Sequence, residues 1–109
     1  MFPEAPTKGE VEYSVRLSAR DRYRHRHTRE KGRVTYFSIQ LETMIEGEWY
    51  PIVRYDTAHG FAHRDLLSRK GETITKTPIF VRDYNDALTF AESDLKGNWV
   101  IYKERFLRG

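Results

Sequence analysis

Hydrophobic and polar residues alternate through much of the first half of this chain. Val11, Tyr13, Val15 and Leu17 interleave with Glu12, Ser14 and Arg16, the period-2 pattern of a strand with one buried face. Phe37, Ile39, Leu41, Thr43 and Ile45 repeat it, led in by Val34 and Thr35, and predict a long strand with a bend. Glu46-Gly47-Glu48 is a short turn, and Trp49 to Tyr55 is rich in aromatic and β-branched residues. Residues 34–55 therefore read as a β-hairpin, with Trp49 and Tyr50 assigned to core packing. Pro51 has no N–H for the ladder and marks an edge position or a bulge. After a turn-like link at Asp56-Thr57-Ala58-His59-Gly60, residues 61–67 form a third meander strand or a short helix. The strand is preferred, because a tight link usually leads to the antiparallel neighbour. Residues 68–82, with Lys70-Gly71 and Thr77-Pro78, are a long connection with room for one short extended piece.

The period then changes. Tyr84, Leu88, Ala91, Leu95, Trp99, Tyr102 and Phe106 step by three or four and trace one helical stripe, a core face. Asp83 is the expected N-cap, and Lys103, Arg105 and Arg108 lie where cations favour a helix C-terminus. Gly97 would end the helix only if residues 99–106 were a final strand, and the apolar phase carries straight through it. The expected fold is α+β: one domain over residues 1–109, an antiparallel β-meander of about four strands packed against a long C-terminal α-helix. Residues 1–10, with two prolines and a Lys-Gly pair, read as an irregular arm. Residues 18–33 read as a basic loop inserted between the first two strands, on which the fold does not depend.

Charge changes this picture. The net charge of +3 is mild, but residues 16–33 hold eight bases against two acids. Arg20, Arg22, Arg24 and Arg26 alternate with Asp21, Tyr23, His25 and His27. If that segment is extended, the four arginines line one face at about 6.6–7 Å intervals. Arg20, Arg22, Arg24, Arg26 and Arg29 would then bind phosphates, and Tyr23 or a histidine would stack on a base, making RNA or DNA the first partner to expect. Solvated loop charges, or neutralisation of acidic patches in a homo-oligomer, are the alternatives. The chain has no cysteine, which excludes disulfides and thiolate chemistry and favours a reducing cytoplasm. No export signal is readable at the N-terminus, and no apolar run approaches the roughly 20 residues of a membrane helix.

The densest group of ionisable residues is Arg54-Tyr55-Asp56-Thr57-Ala58-His59-Gly60-Phe61-Ala62-His63-Arg64-Asp65. On the strand reading, His63 and Asp65 share a face, with Asp56 and His59 on or beside the preceding turn. His63 or His59 could then serve as general acid or base, Asp56 or Asp65 could orient it, and Arg54 or Arg64 could stabilise an anion. On the helix reading, His59 and His63 stand at i and i+4, the spacing of two ligands of one metal. No His-Glu-x-x-His or comparable motif is present, so no metal ligand and no cofactor is assigned. Asp56 as a turn cap, and His59 as a residue tolerant of unusual backbone angles, are the structural alternatives.

Arg54-Tyr55-Asp56 followed by His59 and His63, with the helix pattern Ala87-Leu88, Ala91, Asp94-Leu95, Asn98-Trp99, Tyr102 and Arg105-Phe106, resembles a family of small uncharacterised prokaryotic proteins. The Arg-Tyr-Asp and spaced-histidine portion is also, more distantly, similar to TumE-type toxin–antitoxin proteins. The resemblance covers roughly residues 34–106 and implies a β-meander backed by helices, with action on RNA or within a toxin–antitoxin pair. The expected function is that of a small cytoplasmic protein acting on or binding RNA or another phosphodiester, through the basic loop and the His/Asp cluster. The alternatives are a non-enzymatic module binding nucleic acid or a partner protein, and a metal-binding domain.

Overall fold

A computed structural model describes residues 8–109. Six antiparallel strands form one meander sheet in chain order: β1 (Lys8–Ser18), β2 (Asp21–Glu30), β3 (Arg33–Ile45), β4 (Glu48–Asp56), β5 (His63–Leu67) and β6 (Thr73–Pro78). One helix, α1 (Tyr84–Arg108), follows. The α+β class and the C-terminal helix stand as expected, but the sheet has six strands instead of about four. Of the arm assigned to residues 1–10, positions 1–7 lie outside the described residues, and Lys8–Glu10 already belong to β1.

The main correction concerns the segment read as a basic loop. It is β2, paired along its length with β1 on one side and β3 on the other. Asp21, Tyr23, His25 and His27 are its buried positions, and Arg24 and Arg26 are exposed between them. Lys31-Gly32 closes it as a hairpin turn, both residues having positive φ (52° and 76°), as do Glu46 and Gly47 (51° and 83°) in the next hairpin. Such turns match the right-handed twist of the strands they join. Removing this segment would therefore split the sheet, and the fold depends on it.

The β3–β4 hairpin and its turn form as the alternation indicates. Pairing jumps from Leu41↔Val53 to Glu42↔Pro51, so the bulge falls where proline cannot donate. Residues 61–67 resolve to a strand, β5. Exposed β6 was legible only as one short extended piece.

Helix α1 lies against β3 and β4. Ala87, Leu88, Ala91, Leu95 and Phe106 are buried, with Tyr84, Trp99 and Tyr102 packed at the margins of a core that includes Tyr23, Phe37, Ile39, Leu41, Val53 and Tyr55. Its ends are tied chemically as well. Asp83 accepts the Asp86 amide at 2.9 Å, and Asn85 accepts the Val34 amide of β3 at 2.9 Å. Near the other end, Lys103 donates to buried Asp21 at 2.9 Å, and Arg105 donates to the carbonyls of Ile52 and Leu67 at 3.2 Å each. The helix covers one face of the sheet only. Strand alternation sends Ser14, Arg24, Gln40, Arg54, Asp65 and Lys76, which pair across successive strands, to the other face.

The helix runs unbroken through Gly97, and a Cβ built there meets no atom within 4 Å. Gly97→Ala is therefore expected to stabilise the protein by about 0.5–1 kcal/mol, seen as a higher urea midpoint. A loss of stability would mean that the helix is not continuous there.

Candidate functional site

Three of the four residues in the histidine–aspartate group meet on the helix-free face, at the end of the β4–β5 pair. His63 pairs across the ladder with Asp56, and its Nε2 stands 3.0 Å from Asp56 Oδ1 and 3.5 Å from Asp65 Oδ2. Its Nδ1 faces the Phe61 carbonyl at 3.2 Å. Lys76 of β6 completes the group, with Nζ 3.3 Å from His63 Nε2 and 3.6 Å from Asp65 Oδ1. His63 and Asp65 are buried, at 1% and 5% exposure. Asp56 also accepts the Ala58 amide at 3.0 Å, so it is both a turn cap and a member of the cluster.

The other candidates in that stretch go elsewhere. His59 is exposed in a 3-10 turn with φ of 70°, its ring centroid 6.4 Å from that of His63. Arg64 points to the opposite face and donates to the Tyr102 hydroxyl at 3.1 Å. The alternation that joins His63 to Asp65 sends the residue between them the other way. Arg54 stays on the helix-free face, opposite Asp65 in register, but its Nε donates to Gln40 at 2.8 Å.

Gln40 connects the cluster's side of the face to the arginines. It donates to Glu42, whose carboxylate also receives Arg22 Nε at 2.7 Å and Arg24 Nε at 3.1 Å. Arg26 Nε binds Glu10 at 2.8 Å. Arg22, Arg24 and Arg26 thus line one face, whereas Arg20 sits in the β1–β2 turn and Arg29 lies on the helix side. Tyr23, at 1% exposure, is buried in the core and has no face free to stack on a base. Half-exposed Tyr36 does lie beside the arginines, in a trough of about 260 Å³ whose walls include Arg24, Arg26, Ser38 and Gln40. Trp49, assigned to the core, lies on this face beneath the Arg22 guanidinium, 3.9 Å from it.

A second constellation occupies the helix side. A cleft of about 510 Å³ is lined by residues that include Tyr13, His25, His27, Arg29, Glu92 and Lys96. Tyr13 donates to Glu92 at 2.6 Å, and its ring stacks on His25 with centroids 4.3 Å apart. His25 Nδ1 faces the same carboxylate, and His25 Nε2 meets His27 Nδ1 at 2.5 Å. The network assigns the protons: Nδ1–H of His25 toward Glu92, Nδ1–H of His27 toward His25, and an acceptor at His27 Nε2. That atom is buried with no hydrogen-bond partner among the described residues, and His25 Nδ1 approaches the Glu92 carboxylate closely but without hydrogen-bond geometry. Burial holds both rings below the usual histidine pKa, against the pull of Glu92, and nearby Arg29 acts in the same direction as burial.

Residues 7–109 match the family described as Domain of unknown function (DUF7718). The chain belongs to this family. No curated protein and no solved structure matches it. The expectation of an uncharacterised domain family is met, and the match carries no link to TumE-type proteins. No helix among the described residues of this DUF7718 domain is long and apolar enough to cross a membrane. Sequence reading missed the cleft for a physical reason. Tyr13 and Glu92 are 79 positions apart, on different elements, and no local pattern joins them. His25 and His27 had a signal, the alternation of β2, which the surrounding charge obscured.

The two histidines set a pH dependence for the DUF7718 domain. With folded pKa values below the unfolded value of about 6.5, the unfolded chain binds more protons in the window just beneath it. Their contribution to stability is complete above about pH 6.5 and falls away as the pH drops toward the folded values. Thermal unfolding between pH 7.5 and 5 should show a falling midpoint. His25→Gln with His27→Gln should flatten that fall, and equal slopes for both proteins would contradict the assignment.

Proposed function

We propose that this protein binds single-stranded nucleic acid, RNA first, along the helix-free face of its sheet. The supporting observation is the way Arg22, Arg24 and Arg26 are held. Each guanidinium is tethered to a carboxylate through Nε, and among the described residues the Nη groups of Arg24 and Arg26 have no protein partner. Those side chains are 56% and 53% exposed. Tethering lowers the entropy lost when an arginine meets a phosphate, while the outer N–H pair stays free for bidentate contact.

Alternate residues on β2 are about 6.6–6.8 Å apart, comparable to the separation of phosphates along an extended single strand. Tyr36 offers a ring to one base, and Arg54 continues the cationic line toward β5. The carboxylates of Glu10 and Glu42 reduce the net field, so a few oriented contacts carry the binding. Binding is favoured over cleavage by His63 because that ring is buried, at 1% exposure, with Nδ1 against the Phe61 carbonyl and Nε2 closed in by Asp56, Asp65 and Lys76. A general base needs an open approach to the proton it removes.

Fluorescence anisotropy with a labelled single-stranded RNA of about 12 nucleotides, enough to span a site of this size, tests the reading. Arg24→Glu with Arg26→Glu should weaken binding at least about tenfold and lower the salt slope by about 1.4. Tyr36→Ala should cost about 1–3 kcal/mol if one base stacks there. Lys70→Glu with Arg108→Glu makes the same change in net charge away from this face and should have little effect. Equal losses for both double variants, or salt-independent affinity, would refute the proposed surface.

A further inference from the structure

The Asp56–His63–Asp65 cluster contains a chemical mismatch that a strand-end contact does not require. A carbonyl can only accept, so the 3.2 Å contact to Phe61 places a ring proton of His63 on Nδ1. Nε2 points at two carboxylate oxygens, 3.0 and 3.5 Å away. The three acceptor atoms lie within 4.8 Å of one another. Asp65 Oδ1 is buried and makes no hydrogen bond among the described residues. Two buried carboxylates converging on one ring nitrogen need positive charge among them, which a ring proton on Nε2 or a cation can supply. The ammonium of Lys76 supplies one, 3.3 Å from Nε2 and 3.6 Å from Asp65 Oδ1, on a side chain that is 41% exposed at the sheet edge.

We propose that Asp56, His63 and Asp65 are the ligands of a divalent transition-metal ion, and that Lys76 holds the ion's place until it binds. Metal–ligand bonds of about 2.0–2.2 Å put neighbouring ligand atoms roughly 3–3.6 Å apart, the range His63 Nε2 already keeps from both carboxylates. The outer contacts are those a metal-bound histidine and carboxylate use. The Phe61 carbonyl fixes the ring tautomer, and the Ala58 amide orients Asp56. One imidazole and two carboxylates suit zinc, manganese or ferrous iron. The side chain of Lys76 can withdraw to solvent along β6, and Asp56, 14% exposed, marks the entry side. His59, expected beside His63 at helical spacing, is not in the set. The ligand spacing belongs to a strand pair instead.

The site stands apart from the nucleic-acid reading, and its test needs no RNA. The chelator-treated full chain is titrated with Zn2+ and Mn2+ by calorimetry, with Co2+ absorption reporting ligation. Wild type should take up about one ion per chain with release of protons from its ligands or the lysine. Asp65→Ala should lose more than the ~10–100-fold typical of an outer-shell change. Lys76→Met removes the competing cation and should bind at least about tenfold more tightly than wild type, a gain that misfolding cannot imitate. No stoichiometric binding by wild type and Lys76→Met, or affinity unchanged in Asp65→Ala, would overturn the site and leave the cluster a buried ion-pair group.

Discussion

A single helix can cover only one face of a six-stranded sheet, and this protein assigns chemistry to its two faces through the alternation of β2. Tyr23, His25 and His27 turn toward the helix, and Arg22, Arg24 and Arg26 turn away. A slip of one residue would bury three guanidiniums under the helix and expose Tyr23, so register is strongly specified. Pairing on both sides fixes it further, through ladders to β1 and β3. The cationic face, the helix-side cleft and the seat of the helix all follow from that one register.

Polar contacts between the sheet and the helix supply a second level of specification. Lys103 meets Asp21, Tyr55 and Tyr102 both bind Asp94, and Glu92 gathers Tyr13 and His25. Where the remaining group is buried, as Asp21 and Tyr55 are, removing its partner leaves it unsatisfied at a cost of about 1–3 kcal/mol. These contacts act less as net stabilisation than as a lock on how the helix lies across the strands. Burial and the bond to Asp94 raise the pKa of Tyr55, which keeps that hydroxyl a donor.

How much of this was legible in the sequence depended on whether one signal dominated each segment. The β3–β4 hairpin had clean alternation and a Glu-Gly turn, and the helix had an unbroken stripe through Gly97. Counting by two along β5 put His63 and Asp65 on one face, the β4–β5 register added Asp56, and the same alternation turns Arg64, expected beside them as an anion stabiliser, to the other face. In β2 two signals competed. Charge density suggested a loop, although Tyr23, His25 and His27 alternated within it and Lys31-Gly32 closed it as a hairpin. Its arginines are exposed because they face away from the helix, not because the backbone is irregular. β6 is almost wholly exposed, so it had no buried face to leave a pattern. Lys76 could not be connected to His63 without the β5–β6 register.

Each face thus carries its own constellation. The helix-free face presents arginines whose Nε atoms are committed to carboxylates, with the outer nitrogens of Arg24 and Arg26 unpartnered among the described residues, and it ends at the buried cluster around His63. The helix side holds a carboxylate–histidine–histidine chain in a cleft. The central claim is that nucleic acid is read by the first of these. The most direct measurement follows the arginine side-chain Nε–Hε resonances of labelled protein during titration with single-stranded RNA. Shifts concentrated at Arg22, Arg24 and Arg26 are predicted, with Arg29 on the other face unmoved. Shifts confined to Arg29, or none at saturating RNA, would contradict the claim.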